Sequence, residues 1–158
     1  MKDTKSILNC PACGCEMKKV KLDSTGFFVD ICADGCGGIW LDNRELDKID
    51  EEWTDIHKVN ETYTNKEYTR IDTTKMRLCP VCGAKMVKNY ASAKREIEVD
   101  ECYFCGGKFL DNHELEAIRH QYRTDEERSN DAVKLSLDLG SMRNIFEEIL
   151  SKDLANEE

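Results

Sequence analysis

From Met17 to Ile31 apolar and polar side chains alternate, with a break in the middle. Met17-Lys18-Lys19-Val20-Lys21-Leu22 precedes the turn-forming set Asp23-Ser24-Thr25-Gly26, and Phe27-Phe28-Val29-Asp30-Ile31 follows it. Two such runs around a turn predict a β-hairpin. The same arrangement returns with Met86-Val87-Lys88-Asn89-Tyr90 and Glu96-Ile97-Glu98-Val99-Asp100, where Ile97 and Val99 set against Glu96, Glu98 and Asp100 mark one buried face. Downstream of each hairpin stands Asp-Asn-x-Glu-Leu, at Asp42-Asn43-Arg44-Glu45-Leu46 and Asp111-Asn112-His113-Glu114-Leu115. Asp as N-cap and Glu at the third helical position form a capping box, so each hairpin is followed by a short helix carrying Leu46 and Ile49, or Leu115 and Ile118, inward.

The repeat organises the chain. One module spans residues 7–50, a second 76–120, and residues 51–75 link them. In the linker Trp53, Ile56, Val59 and Tyr63 recur every three or four positions, which predicts a short amphipathic helix packing on the modules. Residues 121–158 are the most acidic piece. There Val133, Leu135, Leu137 and Leu139 alternate as a strand would, and past Gly140 the positions Met142, Ile145, Phe146, Ile149 and Leu150 predict a helix from about Ser141 to Leu154. The expected fold class is a small metal-stabilised α+β protein: two units of a β-hairpin plus a short helix, with a C-terminal helical segment.

Modules of this size bury too little apolar surface to fold comfortably alone, so a staple is expected. Each module has four cysteines to build it, Cys10, Cys13, Cys32 and Cys36 in the first and Cys79, Cys82, Cys102 and Cys105 in the second. Two close cysteines, a gap, then two more is the spacing of tetrahedral structural zinc. Disulfides are the competing use of these thiols and iron the competing metal. The chain start has neither a long apolar run nor a small-residue cleavage signature, and no segment reaches the roughly 20 apolar residues of a membrane span. A cytoplasmic, reducing setting is therefore expected, and there thiols favour zinc, two ions per chain. Two glycines after the second pair, Gly37-Gly38 and Gly106-Gly107, suit a tight turn with amides facing sulfur.

Four thiolates close the zinc shell, whereas hydrolytic zinc keeps an open position. No Gly-rich phosphate loop or nucleophile elbow is present, Asp42, Glu45, Asp111 and Glu114 are explained by capping, and His113 stands where the first module has Arg44. No enzyme is expected. Redox dithiols are also disfavoured, because such pairs sit at a helix start in a βαβ unit. Cys15 alone has no assigned role; it reads as a packing residue, with substitution for a ligand or oxidation as the other uses of a surplus thiol.

Cys-Pro-x-Cys-Gly, a hairpin, then Cys32 or Cys102, then Cys-Gly-Gly and Leu-Asp-Asn-x-Glu-Leu resemble the zinc ribbon of the transcription factor IIB type. The first copy departs slightly, with three residues between Cys32 and Cys36 where the second has two between Cys102 and Cys105. The first functional reading is a non-enzymatic zinc-binding adaptor that offers its hairpin tips and the Trp40 and Phe109 faces to a protein partner. The resemblance implies RNA polymerase and associated factors as a partner class. The alternative is a nucleic-acid-binding module using Lys18, Lys19 and Lys21 with Phe27 and Phe28, echoed by Lys85, Lys88, Lys94 and Arg95. A net charge of -9 opposes it. A thiol redox or metal-sensing switch is the third reading. With two separate staples, loss of either ion is expected to unfold chiefly its own module.

Overall fold

The first hairpin joins Lys18–Lys21 (β1) to Phe28–Ile31 (β2), with Lys18 opposite Ile31 and Lys21 opposite Phe28. A third strand, Ile39–Leu41 (β3), pairs with the other edge of β2 and leads into a short helix, Leu46–Ile49 (α1). Helix α2, His57–Thr62, lies in the linker. The second module repeats the first: Val87–Tyr90 (β4), Glu98–Glu101 (β5), Lys108–Leu110 (β6), then Glu114–Arg119 (α3). These come from a computed structural model, which describes residues 6–23, 26–49, 55–63, 67–92, 94–122, 124, 126–134 and 136–137.

Strands β3 and β6 pair antiparallel, with Ile39 opposite Leu110, Trp40 opposite Phe109 and Leu41 opposite Lys108. Two three-stranded modules thereby become one antiparallel sheet in the order β1-β2-β3-β6-β5-β4. The alternation that reveals the hairpins cannot reveal β3 and β6. Ile39, Trp40 and Leu41 are buried together, as are Phe109 and Leu110, so these strands read as short apolar runs rather than alternating ones.

Two apolar clusters hold this unit. One gathers Leu22, Val29, Ile31, Leu41, Val99 and Leu110 with the helix residues Leu46, Ile49, Leu115 and Ile118, so both short helices turn inward the pairs expected of them. Linker residues Ile56 and Val59 enter the same cluster. The linker helix is thus a packing element, as its three- and four-residue spacing predicts; Trp53 lies outside the described residues. The other cluster surrounds the cysteines with Leu8, Met17, Trp40, Met86 and Phe109.

Residues Met1–Gln121 form one compact unit and Tyr122–Glu158 another. In the second, residues 126–134 are helical, with Val133 exposed. Alternation around Val133 therefore falls in a helix and not a strand, and Leu137 is exposed as well. The helix expected from Ser141 lies outside the described residues.

Candidate metal centres

A tight turn carries each first cysteine pair. Gly14 N–H donates to the Cys10 carbonyl (2.9 Å) and Gly83 N–H to that of Cys79 (2.9 Å), with both glycines at positive φ. The second pairs sit on matching turns: Gly37 N–H donates to Cys32 O and Gly106 N–H to Cys102 O, again at positive φ. Amides aim at sulfur throughout. The N–H groups of Ala12 and Cys13 face Cys10, those of Val81 and Cys82 face Cys79, and those of Phe104 and Cys105 face Cys102. The second glycines take part too, Gly38 N–H facing Cys36 and Gly107 N–H facing Cys105. Donors directed at sulfur favour the thiolate, the form that binds metal.

The hairpins bring the pairs together. Sγ atoms of Cys10, Cys13, Cys32 and Cys36 all lie within 4.8 Å of one another, and so do those of Cys79, Cys82, Cys102 and Cys105. The closest separations are 3.5 Å for Cys10 to Cys36, 3.4 Å for Cys13 to Cys32, 3.6 Å for Cys79 to Cys105 and 3.4 Å for Cys82 to Cys102. A disulfide needs about 2.05 Å, and all nine cysteines are free. Four sulfurs at about 2.3 Å from a tetrahedral zinc ion stand about 3.8 Å apart. Both quartets are therefore suited to one zinc ion each, two per chain, and the ion would fix two turns that no other covalent link joins.

A family model described as the transcription factor zinc-finger, of the zinc-ribbon IIB type, matches residues 9–52 and again 78–120. The chain belongs to the transcription factor IIB-type zinc-ribbon family. No curated protein matches the chain, and no solved structure does. No helix among the described residues is long and apolar enough to cross a membrane.

In this tandem pair the aromatic after each Cys-Gly-Gly is not a display surface. Trp40 and Phe109 are both 0% exposed, which corrects the expectation that they face a partner. Each packs on the opposite ribbon's second glycine: a Cβ on Gly107 would lie 2.1 Å from Trp40 Cζ2, and one on Gly38 would lie 2.2 Å from Phe109 Cζ. The first glycines meet the opposite ribbon's asparagine in the same reciprocal way. A Cβ on Gly106 would stand 2.6 Å from Asn43 Cγ, and one on Gly37 3.0 Å from Asn112 Cγ. The Cys-Gly-Gly and Asp-Asn signatures thus read as the two halves of one joint between ribbons. The linker braces it from outside, Tyr63 Oη donating to Gly37 O at 2.9 Å and Thr69 N–H to Gly35 O at 2.9 Å.

The glutamate half of each capping box forms. Glu45 accepts from Asp42 N–H and Glu114 from Asp111 N–H, both at 2.7 Å. Burial pushes the Glu114 carboxyl up to about 7. Asp111 does not cap α3, which starts after His113 in the left-handed conformation (φ 72) and has no side-chain cap bond; Arg44 is left-handed at the same place in the first ribbon (φ 68). Asp42 accepts the Trp40 indole N–H at 3.0 Å, while Asp111 meets Arg77 at 2.9 Å. Arg77 also reaches Asp100 at 2.7 Å and lies over the Phe109 ring. Burial works against its charge, but hydrogen bonding and attraction from Asp111, then Asp100, hold its pKa above the ordinary value. Sequence reasoning passes over Arg77, two residues before the first ligand pair. The available signal is that the first ribbon has Leu8 there, so an arginine in a core position needs a buried acid.

Proposed function

We propose that the chain is a non-enzymatic adaptor in the cytoplasm, whose second zinc ribbon docks its metal-bearing tip on a protein of the transcription machinery, RNA polymerase or an associated factor. The observation that carries this reading is the exposure of Tyr103 (71%) and Phe104 (88%), between ligands Cys102 and Cys105. Val81 is exposed in the facing turn, and Leu78 just before it. The 3.4 Å approach of Cys82 to Cys102 brings these two turns side by side. Large apolar groups fixed on a rigid, metal-held tip suit a recess on another protein, since little ordering entropy remains to oppose docking. The first ribbon has Asn9, Ala12 and Ala33-Asp34 at the corresponding places, so the two tips are not equivalent.

The hairpin nucleic-acid reading is less well supported. Lys19 sits 3.1 Å from the buried Asp30 and Lys88 3.0 Å from the buried Asp100. Lys94 donates to Gln121 O, and Phe27 packs on the core beneath Lys48. Those three cations and that ring are already engaged within the fold.

The test is binding of the zinc-loaded full chain to purified RNA polymerase from the same cell, before and after nuclease treatment. Phe104→Ala should lower affinity by about tenfold or more, as loss of a central aromatic anchor does, and nuclease should leave binding unchanged. Binding that disappears with nuclease, or falls steeply with salt, would move the reading to nucleic acid. Equal affinity of Phe104→Ala and the parent would remove the tip as the docking site.

A further inference from the structure

The two ribbons differ at one metal-facing position that neither the fold nor the ligand quartet requires. Cys15 and Ala84 occupy the same place: the Cys15 carbonyl accepts from Cys10 N–H at 2.7 Å, and the Ala84 carbonyl accepts from Cys79 N–H at 2.8 Å. Since alanine satisfies that backbone, the thiol at 15 is an addition to the turn. Gly35 locates it. A Cβ built on Gly35 would lie 2.6 Å from Cys32 Sγ, 2.7 Å from Cys13 Sγ and 3.0 Å from Cys15 Sγ, so three sulfurs crowd one point. The three-residue gap between Cys32 and Cys36, one longer than its counterpart, places glycine backbone on that point, where any side chain would displace the sulfurs. Of the five thiols in the first ribbon, Cys10, Cys32 and Cys36 are buried, whereas Cys13 and Cys15 are both partly open to water.

We propose that Cys15 is a reserve zinc ligand that exchanges with Cys13, making the first site a labile one beside a fixed second site. In the exchange Cys15 gives its proton to solvent and bonds the ion, while Cys13 releases the ion and takes up a proton. Four thiolates remain bound before and after, and no electron moves. An incoming zinc acceptor meets a site whose outermost ligand already has a substitute, so the ion can be passed on without stranding the ribbon at three sulfurs. This inference does not rest on docking by the second ribbon.

The test uses the zinc-loaded full chain and a chromogenic chelator. Cys13→Ser should retain two zinc ions per chain with affinity close to the parent, because Cys15 replaces the lost ligand. Cys13→Ser combined with Cys15→Ser should lose affinity at one site by about tenfold or more. Cys82→Ser, whose ribbon has alanine in place of the reserve thiol, should lose as much. Cys15→Ser alone should keep both ions but release the first more slowly. Cobalt substitution supplies a second readout, with thiolate-to-metal absorption of Cys13→Ser expected to match four sulfurs at both sites. Equal affinity of Cys13→Ser and the double variant, equal tolerance of Cys13→Ser and Cys82→Ser, or a zinc ion lost by Cys15→Ser alone would each overturn the proposal.

Discussion

At the scale of single residues, the ribbons solve one problem twice. Each sets an aspartate after its third strand, half-buried at Asp42 and buried at Asp111, and each gives that carboxylate a partner. In the first ribbon the donor is the Trp40 indole N–H, and position 8 is free to be leucine, which is buried. In the second the aromatic is Phe109, which donates nothing, and Arg77, from the position of Leu8, sets its charge 2.9 Å from Asp111. Lysine pairs with the strand aspartate in both, Lys19 with Asp30 and Lys88 with Asp100. The pairs Leu8 with Trp40 and Arg77 with Phe109 are thus alternative solutions. Arg77→Leu should destabilise the zinc-loaded chain by about 3 kcal/mol or more, since it strands a buried carboxylate. Adding Phe109→Trp should recover roughly half of that loss, a coupling that independent sites would not show. Urea unfolding of the two single variants and the double variant measures it, and additive effects would refute the exchange of roles.

Among the elements, the glycines divide by what surrounds them. Gly83 has φ +75 and no heavy atom within 4 Å of where a Cβ would stand, so Gly83→Ala should cost only the left-handed backbone penalty, about 1 kcal/mol. Gly107 has no positive φ, but a Cβ there would stand 2.1 Å from the buried Trp40 ring, so Gly107→Ala must push two strands apart and should cost about 3 kcal/mol or more. The two urea midpoints compare these directly, and equal losses would mean that the aromatic–glycine joint does not bind the ribbons. The hairpins, the short helices with Leu46, Ile49, Leu115 and Ile118, and the cysteine quartets were legible because alternation, Asp-x-x-Glu and closely spaced cysteine pairs each have local causes. The third strands were not. Ile39–Leu41 and Lys108–Leu110 pair with β2 and β5 in their own ribbons and with each other across the molecule, and no alternation along the chain carries that information. The same long-range cause hid the burial of Trp40 and Phe109, since an aromatic beside a metal site reads alike whether it meets solvent or a second ribbon.

For the molecule as a whole, the consequence is that two zinc sites serve one sheet. Separate staples predict separate losses, in which Cys79→Ser unfolds the second ribbon and spares the first. The structure predicts shared loss instead, because β3 has β6 for a neighbour and Trp40 rests on Gly107 of the opposite ribbon. Once the second ribbon loses its ion, Phe109 and Gly107 cease to cover the first ribbon's edge, and Trp40 gains water. The chain has two tryptophans. With Trp53→Phe in the background, Trp40 becomes a sole reporter, sited in the first ribbon yet sensing the second. Cys79→Ser in that background should lower bound zinc from two ions to one and move Trp40 emission to longer wavelength, although none of the ligands of its own ribbon has changed. An emission maximum that stays put while one zinc is lost would show that each ribbon stands without the other, and the six-stranded sheet would then contribute little to stability.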